Sequence, residues 1–181
     1  MAARAPSPKP PLKILSADLG LNVGYALIET GVEPKAASFR IPYRATQLGQ
    51  INLYFVEKME EIIGRAKPDV IARATRIIGR RNTPASIGVY FGLSMALDAM
   101  AVARRIRDVE ISESDARRSF LGKVPRKSAD IKRAIIEGCA SRGWWAKDDH
   151  GCDAIVVGCH AMSILRPQGT HTFEPLFSRG K

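Results

Sequence analysis

The chain has 181 residues, 45% hydrophobic and 25% charged, a balance that suits one soluble domain able to bury a core and excludes a chain too polar to fold. Its 28 Lys and Arg against 18 Asp and Glu give a net charge of +10, so the surface attracts polyanions, nucleic acid first and anionic membrane second. The N-terminal MAARAPSPKPPLK has no apolar stretch of the secretory kind and no later segment is expected to approach the length of a membrane span, which points to the cytoplasm.

Four prolines within residues 1–11 predict a basic, extended arm; the folded unit is expected over 12–165, followed by an irregular tail over 166–181. LKILSADLG and NVGYALIET are β-prone runs separated by a Gly-containing turn, and AASFRIP follows another turn signal at TGVEP, so the chain should open as a three-stranded antiparallel meander. Leu48, Ile51, Tyr54, Phe55 and Met59 then recur at helical spacing, and PDVIARA returns to a strand, making the helix a crossover to a parallel neighbour. Thr83 and Pro84 are a good cap and first residue for a helix that is apolar almost all round, fit for a core or a subunit interface. Asp98 within it should need a partner. RIRDVEIS reads as a fifth strand, with Ser112 and Asp115 starting the next helix in capping-box fashion. Ser128 precedes ADIKRAIIEGCASRG, and DDHGCDAIVVGCHAMSIL makes the last helix. The predicted order is βββαβαβααα, an α/β fold with a five-stranded mixed sheet flanked by helices. Cys139, Cys152 and Cys159 lack the paired spacing of a zinc site and read as reduced thiols. Trp144 and Trp145, at a helix end, read as packing residues.

Asp18 closes the first strand where the second turns straight back, which should put its carboxylate at the sheet edge facing a cleft. A lone Asp there can equally serve the turn backbone. His150 and Asp153, three apart at the start of the last helix, share a face one turn apart and could ligate a metal jointly. An acid in a first helical turn is also stabilised by the macrodipole alone.

Together these positions resemble the RuvC family of Holliday junction resolvases, in the RNase H-like nuclease superfamily, over roughly residues 13–164. The family's D-x-G…GY opening is matched by Asp18, Gly20, Gly24 and Tyr25; its PD-apolar-Glu strand by PDVIA; its terminal acid-or-His-x-x-Asp element by His150 and Asp153. The resemblance implies a metal-dependent endonuclease that resolves branched DNA in recombination and repair. Asp18, His150 and Asp153 would hold Mg2+ or Mn2+, two ions in an intact site, for phosphodiester hydrolysis. It also implies a two-fold homodimer, with the apolar helix over 86–103 as candidate interface.

One position departs from the pattern. Ala74 stands where the family's catalytic Glu is expected, and Arg73 and Arg76 lie nearby. Three readings stay open: deliberate replacement of a glutamate, which we favour; a naturally silent relative that only binds branched DNA; or substitution by another carboxylate. Much weaker metal binding and little cleavage are expected of this chain. DNA contacts are expected from Arg76, Arg80, Arg81 and Asn82 before the apolar helix, and from Lys123, Arg126, Lys127, Lys132 and Arg133 across the site. The ADLG…GYA opening also resembles actin-like sugar kinases and chaperone ATPases, but the chain lacks their second Gly-rich nucleotide segment.

Overall fold

Period-two burial organises the sheet. β1 (Lys13–Asp18) and β2 (Asn22–Glu29) pair antiparallel, from Lys13 opposite Glu29 to Asp18 opposite Gly24, and β3 (Lys35–Arg40) joins β2 antiparallel on its other edge. α1 (Leu48–Ala66) crosses to β4 (Val70–Thr75), parallel to β1; α2 (Pro84–Ala103) crosses to β5 (Arg107–Ser112), parallel to β4. The strand order is β3-β2-β1-β4-β5, and α3 (Glu113–Leu121), α4 (Ser128–Ala140) and α5 (Asp149–Leu165) complete the chain. This is the predicted element order. The computed structural model describes residues 10–75 and 82–166. The arm up to residue 9, Arg76, Arg80, Arg81 and the tail from residue 167 lie outside the described residues.

Alternate residues of the central strands feed two cores. Ile14, Ala72, Ala74 and Ile111 face α3, α4 and α5, whereas Leu15, Ala17 and Ile71 face α1 and α2. On α1 the buried stripe is Ile51, Phe55, Met59 and Ile63, each such side chain contributing about 1.5–3 kcal/mol on leaving water; Leu48 at the helix start stays exposed. The Thr83 hydroxyl accepts from the Ser86 amide at 3.1 Å, and the Ser112 hydroxyl from the Asp115 amide at 3.3 Å, so both predicted caps form. Ser128 does not precede α4 but is its first residue. Lys127 holds the cap position without a side-chain bond, leaving this helix start to the protein's weaker interactions.

α2 corrects another expectation. Its 20 residues, with mean hydropathy 1.5, are long and apolar enough to cross a membrane by length and composition, so a segment of that length does exist. Val89, Leu93, Leu97 and Ala101 pack into the α1 core, while Phe91, Met95 and Val102 remain exposed. Asp98 is exposed as well and needs no buried partner. The tryptophans divide. Trp144 packs on the α5-side core with its ring 6.2 Å from that of Phe120, and Trp145 is 72% exposed. All three cysteines are free and buried.

Candidate active site

Three contacts fix the start of α5 over the ends of β1 and β2. The Ser16 hydroxyl donates to the Ala154 carbonyl at 2.7 Å, and the Ser38 hydroxyl bonds Asp148, whose other oxygen accepts from the Gly151 amide at 3.0 Å and caps the helix. Gly24 supplies the third: a Cβ there would overlap the His150 carbonyl, so glycine alone lets the helix come this close. The sheet therefore meets α5 at its first turn.

That docking brings the predicted residues to one place. Asp18 and Ser16 share the α5 face of β1, and Ala74 shares it on β4, since Ala17 and Arg73 are registered partners one residue earlier. The Asp18 side chain is only 7% exposed, and its Oδ2 lies 3.5 Å from His150 Nδ1. This hydrogen bond, reinforced by the charges of Asp149 and Asp148, raises the His150 pKa against the opposing effect of burial. Asp153, 14% exposed, has its carboxyl pushed up to about 6, first by burial and then by the Asp18 charge, with Arg117 pulling the other way. The Asp18 carboxylate lies close enough to disfavour the charge of Asp153.

Arg117 and Glu113 on α3 belong to this site and were not predicted. Arg117 Nη2 is 3.5 Å from Asp153 Oδ1 and also pairs with Glu113. Glu113 is close enough to add to the upward shift at Asp153. The signal was an i,i+4 acid–base pair directly after the last strand, on an element with no other mark of function. Arg73, by contrast, leaves the site. Its guanidinium points to the opposite sheet face, 2.8 Å from Asp108 and 3.0 Å from Glu110, and bonds the Ser94 hydroxyl. Ala74 is 1% exposed, its methyl packed in the α5-side core.

Among the expected DNA contacts that are described, Asn82 is exposed just before the α2 cap, and Lys123, Arg126 and Lys127 are exposed on the α3–α4 loop. Lys132 bonds Asp149; that bond, then the charges of Asp149, Asp153 and Asp18, raise its pKa, which puts it beside the acidic cluster. Asp149 is correspondingly lowered, first by the Lys132 bond. Arg133 pairs with Asp130 at 3.7 Å, facing along its own helix.

No protein-family model matches the chain, and no curated protein matches it in sequence. Solved structures match it along most of its length. RuvC of T. thermophilus, in complex with a Holliday junction substrate, superposes with a TM-score of 0.60 at 12% identity, covering 88% of this chain and 98% of that one. The fold is RNase H-like. The yeast mitochondrial Holliday junction resolvase Ydc2 gives 0.58 at 11% identity over 81% and 76% of the two chains. A Fowlpox virus resolvase, in complex with Holliday junction DNA, gives 0.51 at 12% over 85% and 99%. At such identities the likeness concerns architecture, and function has to be argued from the site.

The donor types, two carboxylates and an imidazole, suit a hard divalent cation. Their arrangement does not suit a pair of ions. Among the described residues no group of three or more His, Cys, Asp and Glu converges to hold a metal, Asp153 is engaged by Arg117, and position 74 offers a methyl group. The chain as it stands does not fit a two-ion centre.

Proposed function

We propose that the protein is a branched-DNA endonuclease of the resolvase kind whose metal centre is incomplete at position 74, so that this chain binds four-way junctions and cleaves them weakly or not at all. The approach of His150 and Asp153 to Asp18, on the sheet face that Ala74 shares, carries the reading. Asp18 and Asp153 are the proposed oxygen donors, His150 the nitrogen donor, and a Glu at position 74 would add the missing carboxylate on the same sheet face, for Mg2+ or Mn2+. Lys123, Arg126, Lys127 and Lys132 would neutralise phosphates on the α4 side of the acids, with Arg76, Arg80, Arg81 and Asn82 doing so beyond β4. A four-way junction offers two equivalent strands, which suits a two-fold dimer; Phe91, Met95 and Val102 on the outer face of α2 are its proposed contacts.

Ala74→Glu tests this. With Mg2+ or Mn2+ the restored chain should cleave a labelled four-way junction at least about a hundredfold faster than the parent, given what loss of even an outer-sphere metal partner does to such sites. Without divalent ions the added buried carboxylate should lower thermal stability, and the ion should restore it. Equal cleavage by both chains overturns the reading. A second reading, a branched-DNA-binding protein without catalysis, is favoured by one contact: Arg117 already neutralises Asp153 in the place where a cation would act. Tight junction binding by Ala74→Glu without metal-dependent cleavage selects it.

A further inference from the structure

Beyond Gly24, on the side of Asp18 away from β4, the end of the sheet carries a feature with no part in the proposal above. β1 and β3 run in the same direction on either side of β2, so their C-terminal ends, Asp18 and Arg40, emerge at the same end of the sheet. Asp18 is registered with Gly24, Gly24 with Ser38, and Asn22 with Arg40. Alternation then puts Asn22 and Arg40 on the same face as Asp18, the face that receives α5. Two strand spacings of about 4.8 Å and two residues of about 3.4 Å set Arg40 roughly 12 Å from Asp18.

Here, at the end of the sheet, the chain forms a notch of 770 Å³ lined by Asn22 and Arg40 from the α5 face, by Leu21, Ile41 and Tyr43 from the α1 side, and by Pro42 and Arg44, with no acidic residue. Arg65, Arg73, Arg104, Arg117 and Arg118 each meet a carboxylate. Among the described residues, the guanidinium groups of Arg40 and Arg44 meet none. The frame holding them is well tied: the Ile41 amide donates to the Leu21 carbonyl at 2.7 Å, and the Arg44 amide to Gln47 Oε1 at 2.9 Å. The Tyr43 ring stands edge-on to Tyr54, centroids 6.2 Å apart. Two exposed cations without counter-charges, on a rigid concave frame with an amide and a phenol beside them, suit an anion that brings its own oxygens in series.

We propose that Asn22, Arg40, Tyr43 and Arg44 form a second binding site for nucleic-acid backbone, seating the strand that runs on past the end of the sheet where Asp18 stands. The inference rests on the branched-DNA reading. The distance from Asp18 spans only a few nucleotides of one strand, so both sites can engage one continuous strand. Being made to phosphates, these contacts position the arm without selecting its sequence.

The test measures binding of a fluorescein-labelled four-way junction by the chain as it stands, across a series of salt concentrations. Arg40→Ala/Arg44→Ala should weaken binding on the order of tenfold and reduce the slope of log affinity against log salt by about 1.8, at about 0.9 for each phosphate no longer neutralised. Lys35→Ala/Arg65→Ala removes the same charge from the opposite end of the sheet and should change affinity less than about twofold. The milder Arg40→Gln/Arg44→Gln pair should repeat the loss with an unchanged melting temperature, which separates a missing phosphate partner from a damaged fold. Unchanged affinity and salt slope in both Arg40/Arg44 variants overturn the proposal; so does an equal loss in the Lys35/Arg65 control, which would make the effect one of net charge. A parent chain that fails to bind junction DNA overturns the branched-DNA reading, and this site with it, before any substitution is compared.

Discussion

Arg73 and Ala74 are neighbours on β4 and show two treatments of charge inside one sheet. On the α2 face, the Arg73 guanidinium meets Asp108, Glu110 and the Ser94 hydroxyl, an ion-paired cluster in which Asp108 Oδ1 alone is left without a hydrogen-bond partner. On the α5 face, the Asp18 charge opposes proton loss from Asp153, which Arg117, shared with Glu113, partly offsets, while His150 lies against Asp18 and Lys132 stands nearby. The first cluster ties β4 and β5 to α2. The second gathers like charge without enough counter-charge, an arrangement that folding alone does not favour and that a bound cation would relieve.

The contrast can be broken hardest at its closed side. Arg73→Ala leaves Asp108 largely buried with no cation, which should cost about 3 kcal/mol and lower the melting temperature by roughly 6–12 °C. Thermal unfolding of the variant measures it; a change under about 1 kcal/mol would mean that the cluster is not structural. Gly24→Ala comes next. Forcing a Cβ against the His150 carbonyl should push the first turn of α5 from the sheet, costing about 2 kcal/mol and, in an Ala74→Glu background, abolishing metal-dependent cleavage. Retention of both stability and cleavage would show that the close approach does not hold the site.

Asp153→Asn sharpens the open side with the smallest effect and the opposite sign. The folded-state pKa of Asp153, about 6, lies above its ordinary 3.8, so the folded chain holds this proton more tightly than the unfolded one. Stability from the protonated acid is full below about pH 4 and is lost as the pH rises through about 6. At pH 8 without divalent ions the variant should therefore gain about 1–2 kcal/mol, and below pH 4 nothing, as melting temperatures across that range will show. No gain at pH 8 would mean that Arg117 already compensates the charge.

The strands and helices could be read from the sequence because their signals are local: Thr83 and Ser112 cap where expected, and the period of the apolar residues changes from two to nearly four at each crossover. Asp18, His150 and Asp153 could be joined across the chain only through the resemblance to the RuvC family: the strand end and the helix start are each legible, their meeting is not. Arg117 and Glu113 could not, since only the packing of α3 against α5 brings them to Asp153. Gly24 is legible as part of a motif, but its physical task, making room for a carbonyl far along the chain, depends on a tertiary contact. Strict alternation along PDVIARAT could have sent Arg73 to the face opposite Ala74 in advance. Ser128 falls one residue from its expected place because Ser-Ala-Asp starts a helix with Ser either as cap or as first residue.

The Ser16–Ala154 bond joins the first strand to the last helix, and that has a consequence for the order in which the protein becomes competent. During synthesis, all five strands emerge before α5 is made. A polypeptide released early, before His150, would carry positive surface and Asp18 but none of the donors from the far end. The joining of start to finish thus ties the site to completeness: only in a chain translated through its last helix does Asp18 meet His150 and Asp153.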